Sequence, residues 1–503
     1  MPIKKLMKTI VIFYDNDAPY SKEKAFDVKS ALEKSKEWAE SLGLASFTVK
    51  SENLSQLLSD MKDICTKENA ENAVFSFIDL PFLNKKLSQK VIESHLQYKA
   101  EYTFADGYPY GFAPEVLNAG TIAILEELSK TSQAGLGQSS INRDSIYNLL
   151  KTDINSFDVE TVIADFDWRL LRLAFHCGKK DNFMQAKALF ESASDQDFDD
   201  VEKLSEIAAK NPSCLKTVPG FYNLQISDKV SSDAIYSISL PSAGFMPFEK
   251  CSSLIEKIAA FSEKAVIGLS AWGEPLYHPD FTKIVEKILS YQGLSVFIET
   301  DGLQVTEELC EKLAEIEKNA KPRTNEWQKI MIAVTLDAAS EVTYQLIHKN
   351  SQSGDFAKAV KAVSLLQNAI PGSVYPQFVR MNQNENELEA FYRYWNEKTN
   401  PSGGNLIIQK YDDFAGLLPP CKPADLSPLD RDPCWHLRRD LTILSNGQVP
   451  QCRACMLCAS QSNAFTQPLE EVWRLNDQLL INHINSKYCE KCEKCDEWYT
   501  FNF

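Results

Sequence analysis

Six short β-rich runs, each followed by an amphipathic stretch, occupy residues 222 to 410 and constrain the fold more than any other feature of the chain. The runs are 222–227, 265–270, 294–299, 330–337, 375–381 and 405–410. Between them, apolar residues recur at helical spacing. Phe281, Ile284, Val285, Ile288 and Leu289 form one such stripe, and Gly293 follows as its stop. Strands that alternate with helices in this way build parallel sheets. Six β/α units predict a partial barrel, a shape whose ligands sit at the carboxyl ends of the strands.

The flanking sections differ in texture. Residues 1–215 also alternate, with Thr9–Tyr14 and 73–78 as short apolar strands and 31–44 as an amphipathic helix between them, which predicts a Rossmann-like α/β domain. Near 420 the pattern stops. Pro419, Pro420, Pro423, Pro428 and Pro433 break regular structure. Beyond them, Asn446-Gly447 between two apolar runs predicts a hairpin, and 469–486 a helix. The expected organisation is three α/β-type sections: a domain over 1–215, a partial (β/α)6 barrel over 216–420 and a small cysteine-rich domain over 421–503.

The run Thr9–Tyr14 ends at Asp15, too short for a secretory core. No stretch approaches the ~18 apolar residues that a membrane helix needs. The net charge is −16, from 53 basic and 69 acidic side chains, which disfavours a nucleic-acid or anionic-membrane surface. The expectation is a cytoplasmic protein with neither kind of partner.

Thirteen cysteines are present, and eight fall at or after Cys421, where even scatter would give roughly two. In a reducing compartment, clustered thiols bind metal more often than they pair. The cluster comprises Cys434, Cys452, Cys455, Cys458, Cys489, Cys492 and Cys495. The Asn-Gly turn returns Cys452 toward the strand after Cys434, and the helix at 469–486 brings Cys492 and Cys495 back. Thiolates suit zinc and iron–sulfur clusters alike. Four of them can enclose either a tetrahedral zinc or a [4Fe–4S] cluster, and spacing alone leaves both open.

The ordered pattern Cys434-x12-Gly447-x4-Cys452, then Trp473-x-x-Asn476, then Cys492-x-x-Cys495-Asp496-Glu497-Trp498 resembles a SPASM domain. That resemblance implies an auxiliary [4Fe–4S] cluster held by Cys434, Cys452, Cys492 and Cys495. Cys455, Cys458 and Cys489 are then surplus, or ligands of a second, partial cluster.

Three motifs mark the central section: Gly273-Glu274-Pro275, Thr300-Asp301-Gly302, and Ala333 to Asp337 followed by Tyr344 and Ile347. Each alone reads as a turn or a cap. In this order they resemble a radical S-adenosylmethionine core. The resemblance implies that Gly273, Glu274, Pro275, Thr300, Asp301 and Gly302 approach S-adenosylmethionine. That family carries C-x-x-x-C-x-x-C after its first strand. Here the loop after 222–227 reads DKVSSDAIYSISLP and puts Val230, Ala234 and Ser237 in the three places. None can replace a thiolate, and Cys214 and Cys251 lie at the wrong spacing. The expectation is a radical-enzyme frame that has lost cofactor cleavage. The alternatives are an active radical enzyme acting on a peptide or protein, and a zinc-stabilised binding scaffold.

The N-terminal segments AVFSFIDLPFLN and DGYPYGFAPEVLN are similar to those of nucleotidyltransferases that activate sugars with CTP. By that resemblance Asp79 would hold Mg²⁺, and Pro109, Gly111, Glu115 and Val116 match a second motif. The loop after the first strand, 15–20, has no glycine and carries two aspartates that would repel phosphate. Asp79 reads equally well as a strand-end cap. The three sections together resemble the spiro-SPASM family, with a peptide, protein or small molecule as the expected ligand. His278 and His436 lie near the proposed sites and read as capping or packing residues.

Overall fold

The computed structural model describes residues 8–131, 136–231, 233–238, 244–455 and 459–500. The chain divides into two compact units, Met1–Thr217 and Val218–Phe503.

The first unit is built on β1 (Thr9–Tyr14), β2 (Ser46–Val49), β3 (Asn72–Phe77), β4 (Tyr102–Asp106), β5 (Glu115–Asn118) and β6 (Val159–Ile163). Their order is β2-β1-β3-β5-β4-β6. β1 pairs in parallel with β2 and β3, whereas β5 runs antiparallel to both its neighbours. β3 is buried along its whole length, as an interior strand covered on both faces must be. The helix Leu54–Glu68 shows why these segments coil. Leu54, Leu57, Leu58 and Met61 bury one stripe, Asn53 caps the start by accepting the Gln56 N–H, and Asn69 ends it at φ 51°. This is the expected Rossmann-like domain.

The second unit is built on β7 (Phe221–Leu224), β8 (Ala265–Leu269), β9 (Leu294–Thr300), β10 (Ile330–Thr335), β11 (Val374–Arg380), β12 (Ile407–Lys410) and β13 (Asp440–Ile443). The sheet order is β12-β11-β10-β9-β8-β7-β13, with every pair parallel. It is a half-barrel sheet. Its first six strands in chain order are the six that the sequence predicts.

The seventh strand departs from expectation. Asn446-Gly447 does turn the chain, with Gly447 at φ 83° and its N–H on the Leu444 carbonyl at 2.8 Å. The flanking runs do not form one hairpin ladder. β13 docks beside β7, with Leu441 opposite Tyr222 and Ile443 opposite Leu224. β14 (Gln448–Pro450) pairs instead with β15 (Ala459–Asn463). An isolated two-stranded hairpin is marginal, whereas the open edge of β7 offers a ladder in which Leu441, Thr442 and Ile443 are buried. The tail helix also splits, into Leu469–Arg474 and Asp477–Ile484. At the break the Asn476 side chain donates to the Gln451 carbonyl at 2.6 Å.

Strand alternation sorts the side chains of the half-barrel. Tyr222, Leu224, Ile267, Val296, Ile298, Ile332 and Val334 point outward into one core under the helices. Phe221, Val266, Phe297, Met331 and Ala333 point inward and form a small apolar floor. One pleat further on, toward the carboxyl ends, the inward positions turn polar: Asn223 follows Phe221 and Glu299 follows Phe297.

Candidate functional site

Glu274 organises the carboxyl end of the half-barrel. Its buried carboxylate accepts the Thr300 hydroxyl at 2.9 Å, the Asp301 N–H at 3.0 Å and the Leu276 N–H at 3.0 Å. Burial pushes its ionisation upward, and the Asp301 carboxylate pushes it the same way. Gly302 completes the turn at φ 78°, its N–H on the Thr300 hydroxyl at 3.1 Å. Pro275 opens a short turn, Pro275–Tyr277. Gly273 is required by close approach: a Cβ there would stand 1.9 Å from the Ser227 carbonyl oxygen. All six residues singled out by the two motifs therefore gather at one place.

The loop after β7 closes over this end and is pinned there. Ala234 and His348 form an antiparallel bridge. The Ile235 N–H bonds the Ile347 carbonyl at 2.9 Å, and the Lys349 N–H bonds the Asp233 carbonyl at 3.1 Å. The Tyr236 hydroxyl donates to Asp337, whose other oxygen takes the Val379 N–H at 2.7 Å. Asp337 sits at φ 57°, a left-handed conformation that aims its buried carboxylate back under the loop. A cavity of about 170 Å³ lies beneath, lined by Val230, Ala234, Tyr236, Ser237, Glu274 and Asp301 among others.

A second cavity, of about 310 Å³, fills the lumen above the apolar floor. The two share Ser270, Glu299 and Arg453 on their linings. Of these, Glu299 accepts from the Gln377 amide at 2.8 Å, and Arg453 acts on it across space. Sequence reasoning missed Glu299, Arg453, Tyr236 and His348, and took Asp337 only as the end of the third motif. For Glu299 a signal existed in the pleat, two residues after Phe297. For Arg453 there was none beyond its place next to Cys452.

In the tail, Cys434, Cys452, Cys492 and Cys495 are half-buried and Cys489 is exposed. Cys452, Cys492 and Cys495 all sense the charge of Cys434, and Cys492 and Cys495 also sense Cys452. Burial pushes Cys434 up to about 11 and Cys452 to about 12, and the charge of Cys434 adds to the second. Cys492 and Cys495 are raised further, by burial first. After burial, the largest effect on Cys492 is its hydrogen bond with Cys489; on Cys495 it is the Cys434 charge. Backbone N–H groups of His436 and Leu437 reach the Cys434 sulfur, those of Ala454 and Cys455 reach Cys452, and that of Glu497 reaches Cys495 at 3.4 Å. Among the described residues, no three such groups stand close enough to close on a single metal ion. Cys455 is disulfide-bonded, and Cys458 lies outside the described residues. His436 is held by Asp440 at 2.6 Å and Thr500 at 3.1 Å, and His278 by the Met246 carbonyl at 2.8 Å, both in packing roles.

Residues 234–394 match the Radical SAM superfamily. The match covers about a third of the chain, within the half-barrel. It is 40% identical over 369 residues to an uncharacterized protein of Treponema pallidum (strain Nichols), covering 71% of this chain and 98% of that one. Two solved structures are similar to the chain at low identity. Streptococcus suis SuiB bound to precursor peptide SuiA is 14% identical with TM-score 0.43, covering 59% of this chain and 75% of that one. Native anSMEcpe with bound AdoMet is 15% identical with TM-score 0.41, covering 56% and 87%.

The matched family implies a core iron–sulfur cluster and S-adenosylmethionine, and the residues can be tested against each. The three places that the sequence reading assigns to core thiolates hold Val230, Ala234 and Ser237, and all three line the smaller cavity. An alkyl group and a neutral hydroxyl cannot take the place of thiolate on iron, so a core cluster does not fit this loop. The tail set does fit a cluster in donor chemistry: four sulfurs from three chain segments, several already accepting backbone N–H groups that stabilise sulfur charge.

In the first unit, Asp79 follows β3 and is fully buried. Both of its oxygens are taken by Arg143, at 2.8 and 2.7 Å, and the guanidinium stacks 4.3 Å from the Phe77 ring centroid. The carboxylate is thus spent on an ion pair rather than left open to a cation. Glu115 lies at the start of β5 with its Oε2 buried. Burial raises it from 4.5 to about 8, against the pull of a hydrogen bond from Tyr102. An acid whose folded value is raised binds its proton more tightly in the native state, so stability falls as pH rises through that window. Urea melts are expected to show this unit losing stability between about pH 5 and pH 8, and Glu115→Gln to flatten the slope. An unchanged slope in the variant would remove Glu115 as its cause.

Proposed function

We propose that the tail is a [4Fe–4S] site held by Cys434, Cys452, Cys492 and Cys495, and that the barrel keeps the radical SAM frame without cleaving S-adenosylmethionine. One observation carries this reading: the loop that would hold the core cluster is instead pinned by Ala234, Ile235 and Tyr236 and presents Val230, Ala234 and Ser237 to the cavity. Without thiolates there, the sulfonium has no electron source. Backbone donors to the tail sulfurs support a cluster there. The lumen would then serve as a binding chamber for a small molecule or peptide, in a cytoplasmic protein.

Anaerobic purification with iron, sulfide and zinc analysis tests both halves. The expected result is about four irons per chain, as one cubane cluster requires, and no 5′-deoxyadenosine when S-adenosylmethionine and a strong reductant are added. About eight irons, or 5′-deoxyadenosine in stoichiometric amount, would overturn the loss of cleavage. Zinc without iron would sink the cluster.

A further inference from the structure

We propose that the half-barrel lumen binds a free amino acid with an apolar side chain, its carboxylate paired with Arg453 and its ammonium received by Glu299. The two charges line both cavities, where the 310 Å³ and 170 Å³ spaces meet. Their neighbours on the larger lining are already satisfied inside the protein. Lys410 pairs with Glu497 at 2.7 Å and with Asp496 at 3.1 Å. Asp440 pairs with His436 and Arg439. Asn223 and Ser270 bond each other at 2.8 Å. Arg453 is different. Among the described residues it makes no hydrogen bond and no ion pair, and it acts on Glu299 and Asp412 only through space. Glu299 accepts one hydrogen bond, from Gln377, which leaves its second oxygen available.

A guanidinium that makes no hydrogen bond among the described residues, in a partly enclosed space, calls for a planar anion, and carboxylate matches its fork. A lone anion would leave Glu299 facing a like charge, whereas a zwitterion answers both groups at once. Polyphosphates are disfavoured by Glu274, Asp301 and Asp337 on or just behind the adjoining wall. A bare divalent cation is disfavoured by Arg453 itself. Size points the same way, since about 310 Å³ lies at the small end of ligand pockets. The floor of Phe221, Phe297 and Ile407 then takes an apolar side chain by burial. This deepens the chamber reading above and rests on it, while standing independently of the metal in the tail.

The test is calorimetric titration of the full-length, metal-analysed protein with phenylalanine and with leucine, alongside N-acetylphenylalanine and phenylalanine amide. At least one free amino acid is expected to bind, and each blocked form to bind at least about tenfold more weakly, a loss of ~1.4 kcal/mol. Arg453→Gln, checked for an unchanged melting temperature, should abolish the heat, and Glu299→Gln should weaken it. Absence of binding by both free amino acids at millimolar concentration overturns the proposal. So does equal binding of the blocked forms, or undiminished binding by a folded Arg453→Gln. Binding by protein that carries no iron upholds the proposal and counts only against the cluster. Iron without binding does the reverse.

Discussion

Replacing Cys495 with alanine is expected to empty the tail of iron, from about four per chain to almost none. Cys495 is half-buried and close enough to Cys434 and Cys452 for their charges to raise its ionisation. Without metal, burial holds these four thiols protonated at neutral pH. Metal binding exchanges protons for iron, and the site then gains from charge what the empty site loses by desolvation. Removing one of four thiolates leaves an iron corner to solvent, and a cluster so exposed is lost during purification. Cys489 is the informative contrast. It is exposed, and it touches the group through its hydrogen bond with Cys492. Cys489→Ala should therefore retain iron. Paired iron and sulfide assays, with the visible absorbance of the cluster, read both variants. If Cys489→Ala loses iron and Cys492→Ala keeps it, the ligand assignment at this turn is reversed.

The barrel was legible because both its signals are local. Short β-rich runs such as 294–299 and the stripe from Phe281 to Leu289 depend only on near neighbours and on burial. The Gly-Glu-Pro and Thr-Asp-Gly turns were legible for the same reason, and their meeting through Glu274 follows from adjacent parallel strands. The seventh strand was not, because the choice between a hairpin and the edge of β7 is made by a partner more than two hundred residues away in sequence. Arg453 and Arg143 were hidden for a related reason. A single cation in a loop carries no periodicity, and only the fold says whether it meets solvent, a cavity or a buried aspartate.

Arg143→Ala is expected to destabilise the first unit by about 3–5 kcal/mol, the usual cost of leaving a buried charge without its partner. Asp79 is 0% exposed and Arg143 only 14%, so water cannot replace the two lost bonds. The Asn16 amide lies 3.5 Å away, too long to compensate. A double variant, Arg143→Met with Asp79→Leu, should recover most of the loss, because an apolar pair of similar volume avoids the desolvation penalty altogether. Urea denaturation of the three proteins measures this directly. The single variant also asks what the aspartate once did. If Asp79 descends from a metal ligand, millimolar Mg²⁺ should raise the melting temperature of Arg143→Ala and leave the parent protein unmoved, since in the parent the guanidinium already occupies the place of the cation. A melting temperature indifferent to Mg²⁺ in both would make Asp79 and Arg143 a purely structural pair and would remove the physical basis for likening this strand end to a nucleotidyltransferase.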